Sequence, residues 1–173
     1  MENLLETAER YAREQHEGQV RKGEAEEPYV THVAEVASRV ARYGGSEHAI
    51  AAAWLHDVVE DCEPEIEDIE GLFGVKVAAI VAEVTDDKSL SKEQRKALQV
   101  SKASHKSKEA CLIKWADKTC NLISIATSPP PWNSERKLEY IEWARNVANG
   151  LSHSTDTAKR EFDEAVELAL SKI

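Results

Sequence analysis

His56-Asp57, followed by Glu60-Asp61, is the pattern in this chain best suited to chemistry. These four ionisable groups end an otherwise apolar run, Ala49-Ile50-Ala51-Ala52-Ala53-Trp54-Leu55. On one continuous helix, residues four apart share a face, so the spacing places His56 beside Glu60 and Asp57 beside Asp61. Burying such groups unpaired is costly, which makes a compensating cation attractive. Imidazole together with carboxylate suits Mn²⁺, Fe²⁺ or Zn²⁺ better than Ca²⁺. A helix end that turns acidic as it meets solvent would carry the same local pattern.

Two more residues bear on that choice. His32 follows Pro28-Tyr29-Val30-Thr31, near the start of a helix predicted from about Thr31 to Tyr43, with Val33, Val36, Ala37 and Val40 on one side. The short Gly44-Gly45 connection makes this helix and the next antiparallel neighbours, so His32 and His56 can come level. Asp117, in Ile113-Lys114-Trp115-Ala116-Asp117-Lys118, is a charge within a largely apolar helix, with Asn121 one turn on. Buried carboxylates are usually paired or ligate metal; here Lys114 or Lys118 could also be the partner.

The elements that must position these groups read as helix after helix. Leu4, Leu5, Ala8, Tyr11 and Ala12 recur at helical spacing, and a charged connector runs from Gly18 to Glu27. Ser46 is a plausible N-cap for the apolar helix, which the pattern carries unbroken through Asp61 to near Pro64. A short acidic helix follows, then Gly74 to Val84, a polar segment Thr85 to Ser91, a charged helix Ser91 to Ser104, and a helix covering Ala110 to Ala126. Ser128-Pro129-Pro130-Pro131-Trp132-Asn133 is a loop, since consecutive prolines cannot continue a helix. Ser134 is expected to cap a helix to Gly150, and Thr155 or Asp156 the last, to about Leu170. No segment alternates convincingly enough for a strand. The expectation is an all-α fold, one compact bundle over residues 1–173. Trp54, Trp115 and Trp143 fall at helical phase with apolar neighbours and are read as core; Trp132, on the loop, is the aromatic placed to meet a substrate.

Composition narrows the classes. A hydrophobic share of 42% with 31% charged residues is that of a soluble globular chain, and no apolar run reaches the roughly 20 residues of a membrane helix. The start Met1-Glu2-Asn3-Leu4-Leu5-Glu6 lacks a signal peptide's basic and apolar regions, so a cytoplasmic location is expected. Cys62, Cys111 and Cys120 form no C-x-x-C pair and read as free thiols. A net charge of −10 disfavours nucleic acid as a partner. It still permits a small anion if a local metal and a few basic residues reverse the field at one cleft; Arg21 and Lys22 by themselves read as part of a solvated loop, Gln19 to Glu27. His16, His48, His105 and His153 fall outside these patterns and read as surface or packing residues.

Taken in order, Arg21-Lys22-Gly23, Pro28-Tyr29 with His32, His56-Asp57-Val58-Val59-Glu60-Asp61, and Lys114-Trp115-Ala116-Asp117-Lys118 with Asn121 resemble the signatures of the HD hydrolase domain of RelA/SpoT-type enzymes. The likeness extends through Thr85-Asp86-Asp87, Arg95-Lys96, Trp132 and Glu139-Tyr140-Ile141-Glu142-Trp143-Ala144. With no room for synthetase or regulatory domains, the chain is similar to the stand-alone small alarmone hydrolases, metazoan SpoT homologues among them. Long enzymes commonly carry Arg at the position of Lys118; the stand-alone members resemble this chain.

The resemblance implies a compact HD-domain bundle with metal ligands His32, His56, Asp57 and Asp117, usually holding Mn²⁺. It implies that Glu60 and Asp61 activate and orient water, that Arg21, Lys22 and Asn121 lie near the nucleotide, and that Tyr140 approaches a substrate phosphate. The implied activity is removal of the 3′-pyrophosphate of (p)ppGpp, giving GDP or GTP and pyrophosphate. The same site could act on (p)ppApp or on the 2′-phosphate of NADPH. A nucleotide-sensing domain without turnover is the remaining reading, against which every motif position is chemically competent. Oligomeric state is not legible from these residues.

Overall fold

The structure is a computed structural model that describes residues 2–173. Its helices in chain order are α1 (Leu4–Gln15), α2 (Tyr29–Arg42), α3 (Glu47–Leu55), α4 (Val58–Asp61), α5 (Ile66–Phe73), α6 (Val75–Val84), α7 (Lys92–Lys102), α8 (Lys108–Thr127), α9 (Ser134–Gly150) and α10 (Asp156–Leu170), with a 3₁₀ turn at Ala103–His105. No strand occurs among the described residues; Val20 and Pro28 form one isolated bridge across the connector. No helix is long and apolar enough to cross a membrane.

The axis of the bundle is α8, buried without interruption from Ala110 to Ala116. Around it pack α2, α3, α6, α9 and α10. In α3 the small side chains of Ala49, Ala51, Ala52 and Ala53 are all buried, letting α1, α2, α6 and α8 approach it from several sides. Ser46 and Thr155 cap their helices as expected, and Asn3, Ser91 and Ser107 do the same elsewhere, each accepting a backbone N–H of the first turn. At the start of α9 the cap is Asn133, one residue before the expected Ser134. Gly44, at φ +83°, turns the chain out of α2 through the left-handed region.

One correction matters for chemistry. The helix expected to run unbroken through Asp61 ends at Leu55, and Asp57 sits at φ −103°, ψ −1° before the short α4. The cause is local: His56 Nδ1 lies 2.6 Å from the Ala53 carbonyl oxygen, the acceptor that the Asp57 N–H would use in a continuous helix. The break redirects Asp57, so the shared-face argument no longer describes the four acidic and imidazole groups.

Far from that point, α10 is bolted to α2 through Glu161, which accepts from Arg39, Arg42 and the Tyr43 hydroxyl. Burial alone would raise its pKa, but these three donors outweigh burial and lower it. A folded-state pKa below the unfolded value gives stability that is present above the unfolded pKa and lost as pH falls. Glu161→Gln is expected to cost about 1–3 kcal/mol in urea unfolding at pH 7, with the deficit shrinking as pH falls below the ordinary Glu pKa of about 4.3.

Candidate active site

α2, the α3–α4 junction and α8 bring four side chains to one point. His32 Nε2 lies 3.0 Å from Asp117 Oδ1 and 3.7 Å from Asp57 Oδ2. His56 Nε2 lies 3.0 Å from Asp57 Oδ2 and 3.7 Å from Asp117 Oδ1. His32, His56 and Asp57 are buried. Around the quartet, the Tyr29 hydroxyl donates to Asp57 Oδ2 at 2.7 Å, Lys118 Nζ to Asp117 Oδ2 at 3.3 Å, and Asn121 Nδ2 to Asp117 Oδ1 at 3.4 Å.

The donors fit a divalent metal. With Nδ1 of His56 committed to the Ala53 carbonyl, Nε2 is the atom turned to the centre. That buried Nε2 has no hydrogen-bond partner despite its closeness to Asp57. Ligand atoms about 2.0–2.2 Å from one ion stand about 3.0–3.5 Å apart around it, close to the spacings observed. Electrostatics agree. Burial would lower the His56 pKa, but the Asp57 and Asp117 carboxylates raise it well above the ordinary value. Burial would raise the Asp57 and Asp117 pKa values, yet His56 beside the first and Lys118 and His32 beside the second hold both below the usual carboxylate range. Metal binding to such donors requires the imidazoles in neutral form, so a divalent ion would compete with the proton that these carboxylates favour on His56.

The quartet opens into a cleft of about 1150 Å³ whose lining includes Glu60, Asp61, Arg21, Lys22, Asn121 and Tyr140, each singled out from the sequence. Glu60 is half-buried, and burial, reinforced by the charges of Asp57 and Asp86, pushes its carboxyl up to about 7. Asp61 is more exposed and is paired with Lys88, Oδ1 to Nζ 3.0 Å. Burial likewise pushes the Tyr140 hydroxyl up.

The basic wall extends beyond the residues given a role from sequence: Arg95 and Lys96 entered only as part of the likeness, and Lys92 and Arg136 not at all. Lys92, Arg95 and Lys96 of α7 and Arg136 of α9 line the cleft with Arg21 and Lys22. The α7 signal was readable: positions 92, 95, 96 and 99 recur at i, i+3, i+4 and i+7, a polar stripe on one helix face. Tyr29, which orients Asp57, carried no assigned role either.

Trp143, read as core, instead forms part of the cleft wall. It is half-buried, with its Nε1 donating to the Lys96 carbonyl at 3.1 Å and Lys118 Nζ 4.2 Å from its ring centre. Trp54 is half-buried beneath the Arg13 guanidinium, whereas Trp115 is core at 6% exposure. Trp132 does line the cleft, 5.8 Å from Tyr140 between ring centres, with the Arg136 guanidinium 4.4 Å above it. His16, His48, His105 and His153 are outside the quartet; His16 is buried against Tyr29. Cys62, Cys111 and Cys120 are free thiols.

The Arg21-Lys22 loop is held over the cleft by a close backbone approach. A Cβ on Gly23 would stand 2.3 Å from Ser128 Oγ and 2.4 Å from its carbonyl oxygen, and the Ala25 N–H donates to Ser128 Oγ at 3.2 Å. Gly23→Ala must push the loop away from the proline segment. The expected kinetic result is a KM raised about tenfold with kcat changed little, because binding contacts move and the quartet does not.

The chain matches the HD domain family over residues 8–149. It is 43% identical over 157 residues to the guanosine-3′,5′-bis(diphosphate) 3′-pyrophosphohydrolase MESH1 of Drosophila melanogaster, covering 89% of this chain and 88% of that protein. The Homo sapiens protein of the same name is 40% identical over 167 residues, covering 95% and 90%. A solved structure described as a metazoan ortholog of SpoT that hydrolyzes ppGpp and plays a role in starvation responses superposes with a TM-score of 0.91. It is 39% identical, with 96% of each chain covered.

Proposed function

The chain belongs to the HD domain family, and from that premise we propose that it is a metal-dependent 3′-pyrophosphohydrolase of guanosine alarmones, converting (p)ppGpp to GDP or GTP and pyrophosphate. The observation that carries this reading is the quartet of His32, His56, Asp57 and Asp117 opening into a basic-walled cleft in a chain of net charge −10. Such a cleft suits a small molecule with phosphates at more than one position better than it suits a nucleic-acid backbone. The relatives named for this activity support the same substrate.

We assign the four ligands to Mn²⁺. Held by these four residues, such an ion would supply Lewis-acid polarisation of a phosphoryl oxygen and would lower the pKa of water from about 16 toward about 7. Glu60, whose proton affinity burial has raised, takes the proton of the attacking water. The water oxygen bonds to the phosphorus attached at the 3′ position, the bond from that phosphorus to the ribose oxygen breaks, and the proton taken by Glu60 is returned to the ribose oxygen, so that the nucleotide and pyrophosphate leave and Glu60 is regenerated. Asp61 orients the water while tethered by Lys88. Arg21, Lys22 and Asn121 hold the nucleotide, and Tyr140 and Trp132 face its ribose and phosphate.

The test is a side-by-side assay of the Mn²⁺-loaded protein for pyrophosphate from ppGpp, pyrophosphate from ppApp and phosphate from NADPH. Release from ppGpp at the highest kcat/KM is expected. Preference for either adenine substrate would replace the guanosine assignment, and no turnover of any of the three with metal bound would sink the hydrolase reading.

A further inference from the structure

Two buried ammonium groups in the cleft have no place in the scheme above. Lys114 and Lys118 are four residues apart on α8, only 6% and 4% exposed, and both line the cleft. Like charges at this spacing repel, and buried lysines are usually closed off by carboxylates. Lys118 donates to Asp117 Oδ2 at 3.3 Å. Lys114 makes no ion pair among the described residues; its single acceptor is Gln99 Oε1 at 3.4 Å. Gln99 is held from its other end, with Nε2 donating to Asp86 Oδ2 at 2.7 Å, so the amide oxygen is fixed toward the lysine. An ammonium has three donors, and Lys114 has two left over at the wall of a cavity, beside the helix turn that carries Asp117.

Lys22, Lys92, Arg95, Lys96 and Arg136 line the same cleft but are more exposed; the two groups meet at the Trp143 ring, which lies 4.2 Å from Lys118 Nζ and 4.9 Å from Lys96 Nζ. The cleft thus offers two cation sets, one buried next to a metal ligand and one nearer solvent. A substrate with phosphate groups on two sides of a ribose needs two such sets.

We propose that Lys114 and Lys118 form a buried receptor for condensed phosphate, binding the non-bridging oxygens of the pyrophosphoryl group as it passes to water and then holding inorganic pyrophosphate. The inference rests on the pyrophosphohydrolase reading, and it places the nucleotide's 5′-phosphates on the outer set. Both lysines are then catalytic residues, because they touch the group being transferred.

The test is calorimetric titration of the Mn²⁺-loaded protein with inorganic pyrophosphate and, separately, with GDP. In Lys114→Met the Kd for pyrophosphate is expected to weaken at least tenfold, with GDP binding within twofold of the parent and manganese content unchanged. Lys118→Arg, which keeps the charge, is expected to hold pyrophosphate within about threefold. Lys114→Met is also expected to raise the Tm of the ligand-free protein, since burial and the neighbouring Lys118 both disfavour the ammonium form of Lys114; a structural lysine would lower it. Pyrophosphate affinity unchanged in Lys114→Met, equal loss of GDP and pyrophosphate binding, or loss of manganese would each overturn the proposal. Because the probe is pyrophosphate itself, failure of the parent to turn over ppGpp would remove the nucleotide reading and leave the phosphate receptor standing. Full turnover by Lys114→Met would do the reverse.

Discussion

Glu60→Gln is expected to lower kcat by about 10²–10⁴-fold while the protein keeps its full metal content. The argument rests on position as much as acidity. Glu60 is outside the quartet and half-buried on the cleft wall, within the short α4 that follows Asp57. Glutamine preserves its shape and removes its basicity, so metal analysis should read as for the parent while single-turnover rates collapse. Asp61→Asn is expected to cost less, since that carboxylate is already tied to Lys88. Parent-like activity in Glu60→Gln would refute the base assignment.

The same substitution carries an opposite prediction for stability. The folded-state pKa of Glu60, about 7, is above its ordinary value of 4.5. A raised pKa means the carboxyl contributes most to the fold below the unfolded pKa, and that contribution is lost as pH rises through about 7. Glutamine does not ionise. Metal-free Glu60→Gln should therefore melt at a higher temperature than the metal-free parent at pH 8, and the difference should shrink toward pH 4. Thermal unfolding at the two pH values checks this; a variant that melts lower at pH 8 would show that Glu60 is stabilising as an anion. A group that is costly to fold and needed for turnover is the usual stability–activity conflict of an active site.

His56→Ala is the second large effect, and it acts one step earlier. Its Nε2 touches both carboxylates of the quartet, and its Nδ1 contact with the Ala53 carbonyl coincides with the chain break that aims Asp57. Alanine removes a proposed ligand together with the side chain that contacts the Ala53 carbonyl at the break. Metal content after dialysis is expected to fall to background, and activity with it. The rise in Tm on adding Mn²⁺, which follows RT ln(1 + [L]/Kd) for the parent, should disappear. A variant that still gained several degrees with Mn²⁺ would remove His56 from the ligand set.

The legible part of the site was local or carried by ordered motifs. His56, Asp57, Glu60 and Asp61 are adjacent in the chain, and His32 could be brought level with His56 by the Gly44-Gly45 connection. What misled was continuity. The run from Ala49 to Asp61 contains no Gly or Pro, so nothing in its composition announces a break made by a side chain competing for a backbone acceptor. Helical phase misled in a second way. Trp115 and Trp143 carry the same periodic signal, yet one is core and the other faces a cleft, because an apolar phase does not distinguish an interior from the wall of a cavity.

His56-Asp57 and Glu60-Asp61, with which the reading began, were determined by sequence alone as to residue type, neighbourhood and the all-helical scaffold around them. Short-range periodicity and turn chemistry suffice for that. Only the tertiary structure decided that α3 stops before His56, that Lys118 rather than Lys114 pairs with Asp117, and that α7 turns its basic stripe into the cleft. The reason is physical: each depends on which acceptor or charge lies within a few ångströms across the fold, and spacing along a single helix carries no information about that distance.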